Sequence, residues 1–202
     1  MVVFKNITSE EYKSALREMI FDHYKERYGI EWIDSYIEYL QAKKPGKLRD
    51  LLIKDAKRYS TKEEQTNKDM NLLFDNRYNI GHNVAFGIFN NNILIGYMIF
   101  TIHAYFTPLM EIERYGELYR IYIKEEYREE FLKNNSRSNF VTSLEEYLIE
   151  YFRENNIEEI LANIPTELDD LVSLGEDLGF IKYSHVKSNV SEKDKDLWIK
   201  RI

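Results

Sequence analysis

A polar loop between a predicted strand and a predicted helix is the first place where this sequence could do chemistry. The stretch IYIKEEYREEFLKNNSRSNFVTSLEEYL, residues 121–148, begins as a strand and ends as an amphipathic helix. Between them stand Asn, Ser and Arg, without the glycines that are usual in phosphate-binding loops. The first turn of a helix nevertheless offers unpaired backbone N–H groups and a positive dipole end. The loop is therefore a candidate anion site.

Most other catalytic motifs are missing. Cysteine is absent, which excludes disulfides, thiolate metal sites and a cysteine nucleophile. The sequence contains no G-x-x-x-x-G-K-[ST], no G-x-G-x-x-G and no nucleophile elbow, which argues against ATPases, dinucleotide enzymes and hydrolases. No two histidines have metal-ligand spacing, so we expect no metal and interpret them as structural or surface residues: His23, His82, His103 and His185.

Length and composition indicate one globular domain over residues 1–202. Hydrophobic residues make up 44% and charged residues 31%, as is ordinary for a soluble protein. A net charge of -7 is not the basic footprint of a nucleic-acid-binding protein. The longest apolar run, residues 93–106, is shorter than the roughly 20 residues of a membrane span. No signal peptide is visible, so we expect a cytoplasmic protein without nucleic-acid or membrane partners.

The first third of the chain predicts one strand and several amphipathic helices. A strand covers residues 2–7, and Thr8 with Glu11 has the spacing of a capping box. Apolar residues then recur at helical spacing towards Gly29, which can end a helix. Ser60 with Glu63 is a second candidate capping box. Between Gly29 and Ser60, two further helices are predicted from the helical spacing of apolar residues. The first carries Trp32, Tyr36, Ile37 and Leu40, and the second carries Leu48, Leu51, Leu52, Ala56 and Tyr59.

The rest of the chain predicts strands interrupted by two helices. The segment VAFGIFNNNILIGYMIF reads as a hairpin, because Asn tolerates the positive φ of a tight turn. The simplest fold for this order of strands and helices is a layered α+β fold. It has a mixed, largely antiparallel central sheet of about seven strands flanked by helices. The further strands are predicted near residues 116–124 and 157–164 and in GFIKYSHVKS and DLWIKRI, and the helices near 140–151 and 166–178.

This order of elements resembles the GNAT-type N-acetyltransferase superfamily. The resemblance covers residues 84–202 well and 1–29 loosely. It is carried by Gly96 in LIGYM, by LYRIYI with Tyr127 and Arg128 after it, and by LGF at 178–180. It implies a direct transfer of an acetyl group from acetyl-CoA to a small-molecule or peptide amine, without a metal. Because exposed strand edges in this fold often pair, a homodimer is also among the expectations.

The resemblance implies a pyrophosphate site in the polar loop. Members of the superfamily bind the pyrophosphate with a Q/R-x-x-G-x-G/A loop, whose glycine positions fall here near Asn135 and Arg137. Asn can reach left-handed geometry, Ser138 is the expected N-cap, and Arg137 can donate to phosphate. The predicted contacts are Asn134, Asn135, Ser136, Arg137, Ser138 and Asn139.

The resemblance also implies catalytic and donor-binding residues. Glu117 stands where a base acting through water is expected, and the backbone of Ile121, Tyr122 and Ile123 matches the strand end that binds pantetheine. The tyrosine that usually protonates the leaving thiolate falls on Gly175, so Tyr183 on the next strand is the candidate substitute.

The segment 30–83 is longer than the usual family connection and is predicted to form a helical cap over the acceptor side. Its basic stretch, residues 43–62, is either a solvated helix face or a patch that selects an acidic acceptor. Two functions stay open for the whole chain. Glu117, the polar loop and the strand end favour an N-acetyltransferase, whereas the absent glycines and Gly175 favour a non-catalytic acyl-CoA-binding or protein-interaction module.

Overall fold

The computed structural model describes residues 2–26, 37–38, 40–42, 46–57, 61–75, 83–106, 112–133, 136–166, 168–186 and 195–202. The strands are β1 (Val2–Asn6), β2 (Val84–Asn90), β3 (Ile93–Phe106), β4 (Ile112–Ile123), β5 (Glu159–Pro165), β6 (Ile181–Val186) and β7 (Lys195–Arg201). The helices are α1 (Lys13–Glu26), α2 (Gly46–Lys57), α3 (Lys62–Phe74), α4 (Glu125–Arg128), α5 (Arg137–Glu154) and α6 (Asp169–Asp177). A π-helical turn, Glu129–Lys133, follows α4. Across these ranges, the helices are all too short or too polar to cross a membrane.

The seven strands form one mixed sheet in the order β1-β2-β3-β4-β5-β7-β6. Every neighbouring pair is antiparallel except β4 and β5, which run parallel. This parallel pairing is confined to Gly116–Leu118 and Ile160–Ala162. The predicted α+β fold with a largely antiparallel sheet of seven strands is confirmed.

The predicted asparagine hairpin is also confirmed. Asn91 and Asn92 form the two-residue turn between β2 and β3, with φ values of 48° and 67°. Both residues have the left-handed backbone conformation, and a turn of this kind suits the right-handed twist of the strands that it joins. Gly96, further along β3, has a different role. A Cβ there would lie 2.3 Å from the backbone oxygen of Tyr122, so only glycine lets β3 pass this point of β4.

Two hydrophobic clusters cover the two faces of the sheet. Alternation along β3 assigns the faces, since Met98 and Phe100 belong to one cluster and Tyr97 and Ile99 to the other. The first cluster contains apolar residues of α5 and α6, and the second contains those of α1 and α3. The sheet is therefore the middle of three layers.

Both predicted capping boxes are wrong in position. The hydroxyl of Thr8 accepts a 2.8 Å hydrogen bond from the backbone N–H of Ala85, and α1 begins only at Lys13. The helix α3 does begin with a capping box, but its members are Thr61 and Glu64, one residue after the predicted pair. The expectations for residues 29, 32, 36 and 59 lie outside the described residues.

A buried carboxylate joins the last two strands. Asp196 on β7 is only 4% exposed and bonds Lys182 Nζ at 2.5 Å and His185 Nδ1 at 2.8 Å, both on β6. The hydrogen bond from Lys182 holds the pKa of Asp196 below its ordinary value, and that from His185 adds to this effect against the opposing effect of burial. The folded state therefore favours the ionised carboxylate.

We predict that Asp196→Asn lowers the Tm at pH 7 by a few degrees, since about 1 kcal/mol moves the Tm of a domain of this size by 2–4 °C. A carboxylate with a lowered pKa stabilises the fold above its ordinary pKa, and this contribution is lost as the pH falls through the lowered value. The Tm difference from the unmutated protein should thus shrink between pH 7 and pH 3 in a differential scanning calorimetry series. The exposed Glu158→Gln serves as the control, and a constant difference for Asp196→Asn would contradict the assignment.

Candidate active site

A cleft opens where β4 and β5 stop pairing. Beyond Leu118 and Ala162 the two strands are no longer hydrogen-bonded to each other, although each continues for several residues. Among the described residues, the edge of β4 beyond Leu118 thus has no strand partner on this side, although the Ile123 carbonyl accepts a 2.7 Å hydrogen bond from Nε of Arg128. Apolar side chains from three elements line the space: Leu118, Ile121, Ile164, Leu171, Leu174 and Leu178.

The predicted donor-binding strand end lies at this cleft. Ile121 lines it directly. Tyr122 and Ile123 are each 3% exposed and are paired with Tyr97 and Gly96 of β3 on their other edge. Binding of pantetheine by the backbone of these three residues stays a prediction.

Glu117 immediately precedes the point where the cleft begins. Its neighbours Gly116 and Leu118 face α5, so the side chain of Glu117 projects to the opposite face, the side of α1 and α3. Its Oε2 lies 2.8 Å from His103 Nε2, and its Oε1 accepts a 3.3 Å hydrogen bond from Asn163 Nδ2. With a side chain 19% exposed, this carboxylate is held at both oxygens from the two neighbouring strands.

His103 was not predicted as a site residue. It is the cross-strand partner of Tyr115, on which its ring stacks at 4.6 Å with an interplanar angle of 14°. Burial and then the charge of Glu117 raise the pKa of Tyr115. The signal that could have found His103 is the register of β3 and β4. If β4 is extended back to Ile112, the register of the two strands places His103 next to Glu117 on the same face of the sheet.

A buried charge cluster connects α3 to β4 on the same face. Arg120 Nε lies 2.9 Å from Asp69 Oδ2, and the hydroxyl of Tyr24 donates to the same oxygen at 2.9 Å. The side chain of Asp69 is completely buried and that of Arg120 is 13% exposed. Burial, followed by the nearby Asp69 carboxylate, raises the pKa of Tyr24. The helix α3 is therefore anchored beside the cleft that Arg120 helps to line.

The helix α5 begins without a side-chain cap. Ser136 is its N-cap residue, and its side chain makes no capping hydrogen bond. The predicted N-cap, Ser138, is wrong, because it lies within the first turn of the helix, where Asn139 is exposed beside it. Within the described residues, the side chain of the N-cap residue thus leaves the first-turn N–H groups available, as an anion site at a helix N-terminus requires. Asn134 and Asn135 lie outside the described residues.

Arg137 joins α5 to α6. Its Nε donates to Asp177 Oδ2 at 2.7 Å and its Nη2 donates to the hydroxyl of Ser173 at 2.7 Å. The Leu132 carbonyl accepts a further hydrogen bond from Nη1. In this arrangement the guanidinium holds two helices together, and its contact with phosphate stays a prediction.

No family profile and no curated protein matches the sequence, but solved structures resemble it along its whole length. The PaiA N-acetyltransferase from Thermoplasma acidophilum, in complex with coenzyme A, is 15% identical with a TM-score of 0.55 over 100% of this chain and 99% of that chain. RimL, a ribosomal-protein α-N-acetyltransferase in complex with coenzyme A, is 14% identical with a TM-score of 0.56 over 100% and 94%. A chimera of the Vibrio cholerae spermidine N-acetyltransferase is 14% identical with a TM-score of 0.54 over 99% and 95%.

At these identities the likeness establishes the architecture alone. The chain has the GNAT fold. The resemblance predicted from LIGYM, LYRIYI and LGF is confirmed at this level.

The predicted acid, Tyr183, lies away from the rest of the candidate site. Tyr183 is 72% exposed on β6, and β7 and β5 lie between its strand and β4, a separation of about 14 Å at ordinary strand spacing. The structure therefore does not bring Tyr183 together with Glu117, and its role as an acid stays an untested prediction.

Within the described ranges, no group of three or more His, Asp and Glu side chains could hold a metal ion.

Gly175 lies on the wall of the cleft at a point without room for a side chain. A Cβ at this position would be 2.7 Å from Cδ1 of Ile164, which is on the facing strand β5. A side chain at this position would therefore require the end of the Ile164 side chain to move or α6 to lie further from β5.

We predict that Gly175→Leu lowers the free energy of unfolding by about 1–3 kcal/mol, because the larger side chain overpacks the contact with Ile164. In an Ile164→Ala background the same change should cost less, since the colliding atoms are gone. Urea denaturation of the four variants gives the coupling energy of this double-mutant cycle. Equal costs in both backgrounds would contradict the packing described for Gly175.

Proposed function

We propose that the chain is an acyl-CoA-dependent N-acetyltransferase that uses acetyl-CoA and a primary amine. The observation that carries the proposal is the position of Glu117, paired with His103, directly before the start of the β4–β5 cleft. An apolar cleft between two separating strands suits the pantetheine arm of a thioester. A paired carboxylate and imidazole beside it suit the removal of a proton from an amine.

The donor would lie along β4 with its phosphates towards α5. Backbone groups of Ile121, Tyr122 and Ile123 would bond the pantetheine, and the uncapped first turn of α5, around Ser136, Ser138 and Asn139, would face the pyrophosphate. Such a dipole interaction contributes about 0.3–1 kcal/mol at an exposed helix end. The neighbouring structures in complex with coenzyme A support binding of a coenzyme A thioester by analogy of fold.

The reaction is a direct displacement at the thioester carbonyl. The amine nitrogen forms the new C–N bond, the C–S bond breaks, and its electron pair leaves with the sulfur. One amine proton passes to the Glu117–His103 pair. Because the α6 position of the usual tyrosine is Gly175, the thiolate leaves without a hydroxyl donor from that helix. A thiolate is a good enough leaving group for transfer to proceed without that donor.

The amine acceptor would enter from the face of α1 and α3. The anchoring of α3 to β4 through Asp69 and Arg120 supports the proposal that the segment 30–83 caps this side. Lys47 and Lys54 are exposed on α2, which favours an acidic acceptor over a polycation such as spermidine. The acceptors printed for neighbouring proteins, a ribosomal protein and spermidine, set the two classes to test first: a peptide α-amine and a polyamine.

Binding of the donor is tested by thermal stability. Acetyl-CoA at 100 times its Kd should add roughly 2.7 kcal/mol to the free energy of unfolding. Arg137→Ala should shrink the rise in Tm if Arg137 contacts phosphate. Asp177→Ala is the matched control, because it breaks the same Arg137–Asp177 pair but keeps the cation. No rise in Tm at millimolar acetyl-CoA would exclude the proposal, and equal rises in both variants would remove Arg137 from the phosphate site.

Catalysis is tested with Glu117→Gln. We expect this variant to lower kcat by about 10-fold or more, because the paired carboxylate is lost from the proton-accepting site. The rise in Tm with acetyl-CoA should be unchanged. The assay measures free thiol released from acetyl-CoA with spermidine or with a peptide bearing a free α-amine. Binding of acetyl-CoA without release of thiol for either acceptor class would favour the alternative, a non-catalytic acyl-CoA-binding protein.

A further inference from the structure

We infer that His103, rather than Glu117, is the group that takes the proton from the amine, and that Glu117 orients and stabilises it. The inference rests on the proposed function and identifies which member of the pair does the proton transfer. It depends on the direction of one hydrogen bond, on the environment of the imidazole and on the relative exposure of the two side chains.

The hydrogen bond determines where the imidazole carries its proton. A carboxylate can only accept hydrogen bonds, so the 2.8 Å contact between Glu117 Oε2 and His103 Nε2 requires a hydrogen on Nε2. In the neutral ring the other nitrogen, Nδ1, then bears the lone pair. Within the part of the chain that the structure describes, Nδ1 of His103 has no hydrogen-bond partner. It is therefore available to a substrate.

The ring is also held in one orientation. Its stack on Tyr115, at 4.6 Å and 14°, fixes the plane of the imidazole, and the bond to Glu117 fixes its rotation within that plane. Asn163 in turn holds the second oxygen of Glu117 from β5. A base that is held in this way loses little entropy when it meets its substrate.

The imidazole of His103 is more exposed to solvent than the carboxylate of Glu117. The side chain of His103 is 35% exposed, whereas that of Glu117 is 19% exposed with both oxygens occupied. The imidazole is therefore the member of the pair that is more accessible to an amine from solvent. Histidine is also the side chain that most often serves as a general base near neutral pH.

The proton transfer balances without a further reactant. As the amine nitrogen bonds the carbonyl carbon, one N–H proton moves to Nδ1 of His103. The ring becomes an imidazolium whose positive charge lies against the Glu117 carboxylate, and this ion pair stabilises the charge that develops. The sulfur leaves with the C–S electron pair, and the imidazolium returns its proton to solvent. The charged or titratable groups of the described residues that face the ring are Glu117 and Tyr115.

The decisive comparison is between His103→Gln and Glu117→Gln. The side-chain amide of Gln can donate to Glu117 as Nε2 does, but it cannot accept a proton. If His103 is the base, His103→Gln should lower kcat by about 10²–10⁴-fold with little change in KM, and by more than Glu117→Gln does. If Glu117 is the base, the order reverses, and wild-type kcat in His103→Gln overturns the inference. The rise in Tm with acetyl-CoA should survive in both variants.

Two further readouts separate proton transfer from folding. Imidazole added to His103→Ala should restore part of kcat, whereas a histidine with only a packing role gives no rescue. Long-range ¹H–¹⁵N spectra of the unmutated protein should show the His103 proton on Nε2, and a proton on Nδ1 overturns the assignment without any acceptor. An unmutated protein that binds acetyl-CoA but acetylates no amine defeats the proposed function itself. Activity that persists in His103→Gln defeats only this inference.

Discussion

The short parallel ladder between β4 and β5 determines the geometry of the whole site. If the two strands paired along their full length, the edge of β4 would be satisfied by β5 and no cleft would exist. Because pairing stops at Leu118 and Ala162, one edge of β4 separates from β5 while its other edge stays bonded to β3. The last paired residues of β4 include Glu117, so the carboxylate is fixed by a regular sheet right where the cleft begins. A rigid element thus positions the chemical group, and the irregular separation supplies the space.

The face that carries Glu117 is organised by polar contacts that are costly to bury. Removing two charges from water costs several kcal/mol per ion unless good geometry and further hydrogen bonds compensate. Arg120 meets that condition, because it bonds Asp69 and Tyr24 and lies over the rings of Tyr24 and Tyr119. Asp69 meets it only in part, because its buried Oδ1 has no hydrogen-bond partner among the described residues. Such a network is weak evidence for stability, but it allows only one placement of α3 on β4. We interpret it as the contact that fixes α3 against the face of β4 that carries Glu117.

Sequence patterns predicted the elements and their order, because hydrophobic period and turn residues are local properties. The asparagine turn is an example, since a preference for positive φ at two adjacent residues is enough to specify it. The capping boxes failed for a related reason: Thr8 and Ser60 satisfied a spacing rule, but neighbouring residues or a distant strand supplied the real partners. Arg137 shows the same limit, because its bonds to Asp177 and Ser173 join helices that are far apart in the chain. The importance of His103 depended on the register between β3 and β4, which no motif encodes.

The two ends of the candidate site differ in how they are built. At the donor end, α4 and the turn after it expose Glu125, Glu126, Glu129 and Glu130, and Arg137 is neutralised by Asp177. Attraction of phosphate to fixed cations is therefore weak there, and a donor would depend on uncapped N–H groups and on the apolar cleft. Around Glu117, the carboxylate, the imidazole of His103 and the amide of Asn163 hold one another in defined positions. The specific polar geometry of the candidate site is thus concentrated at Glu117 and not at the first turn of α5.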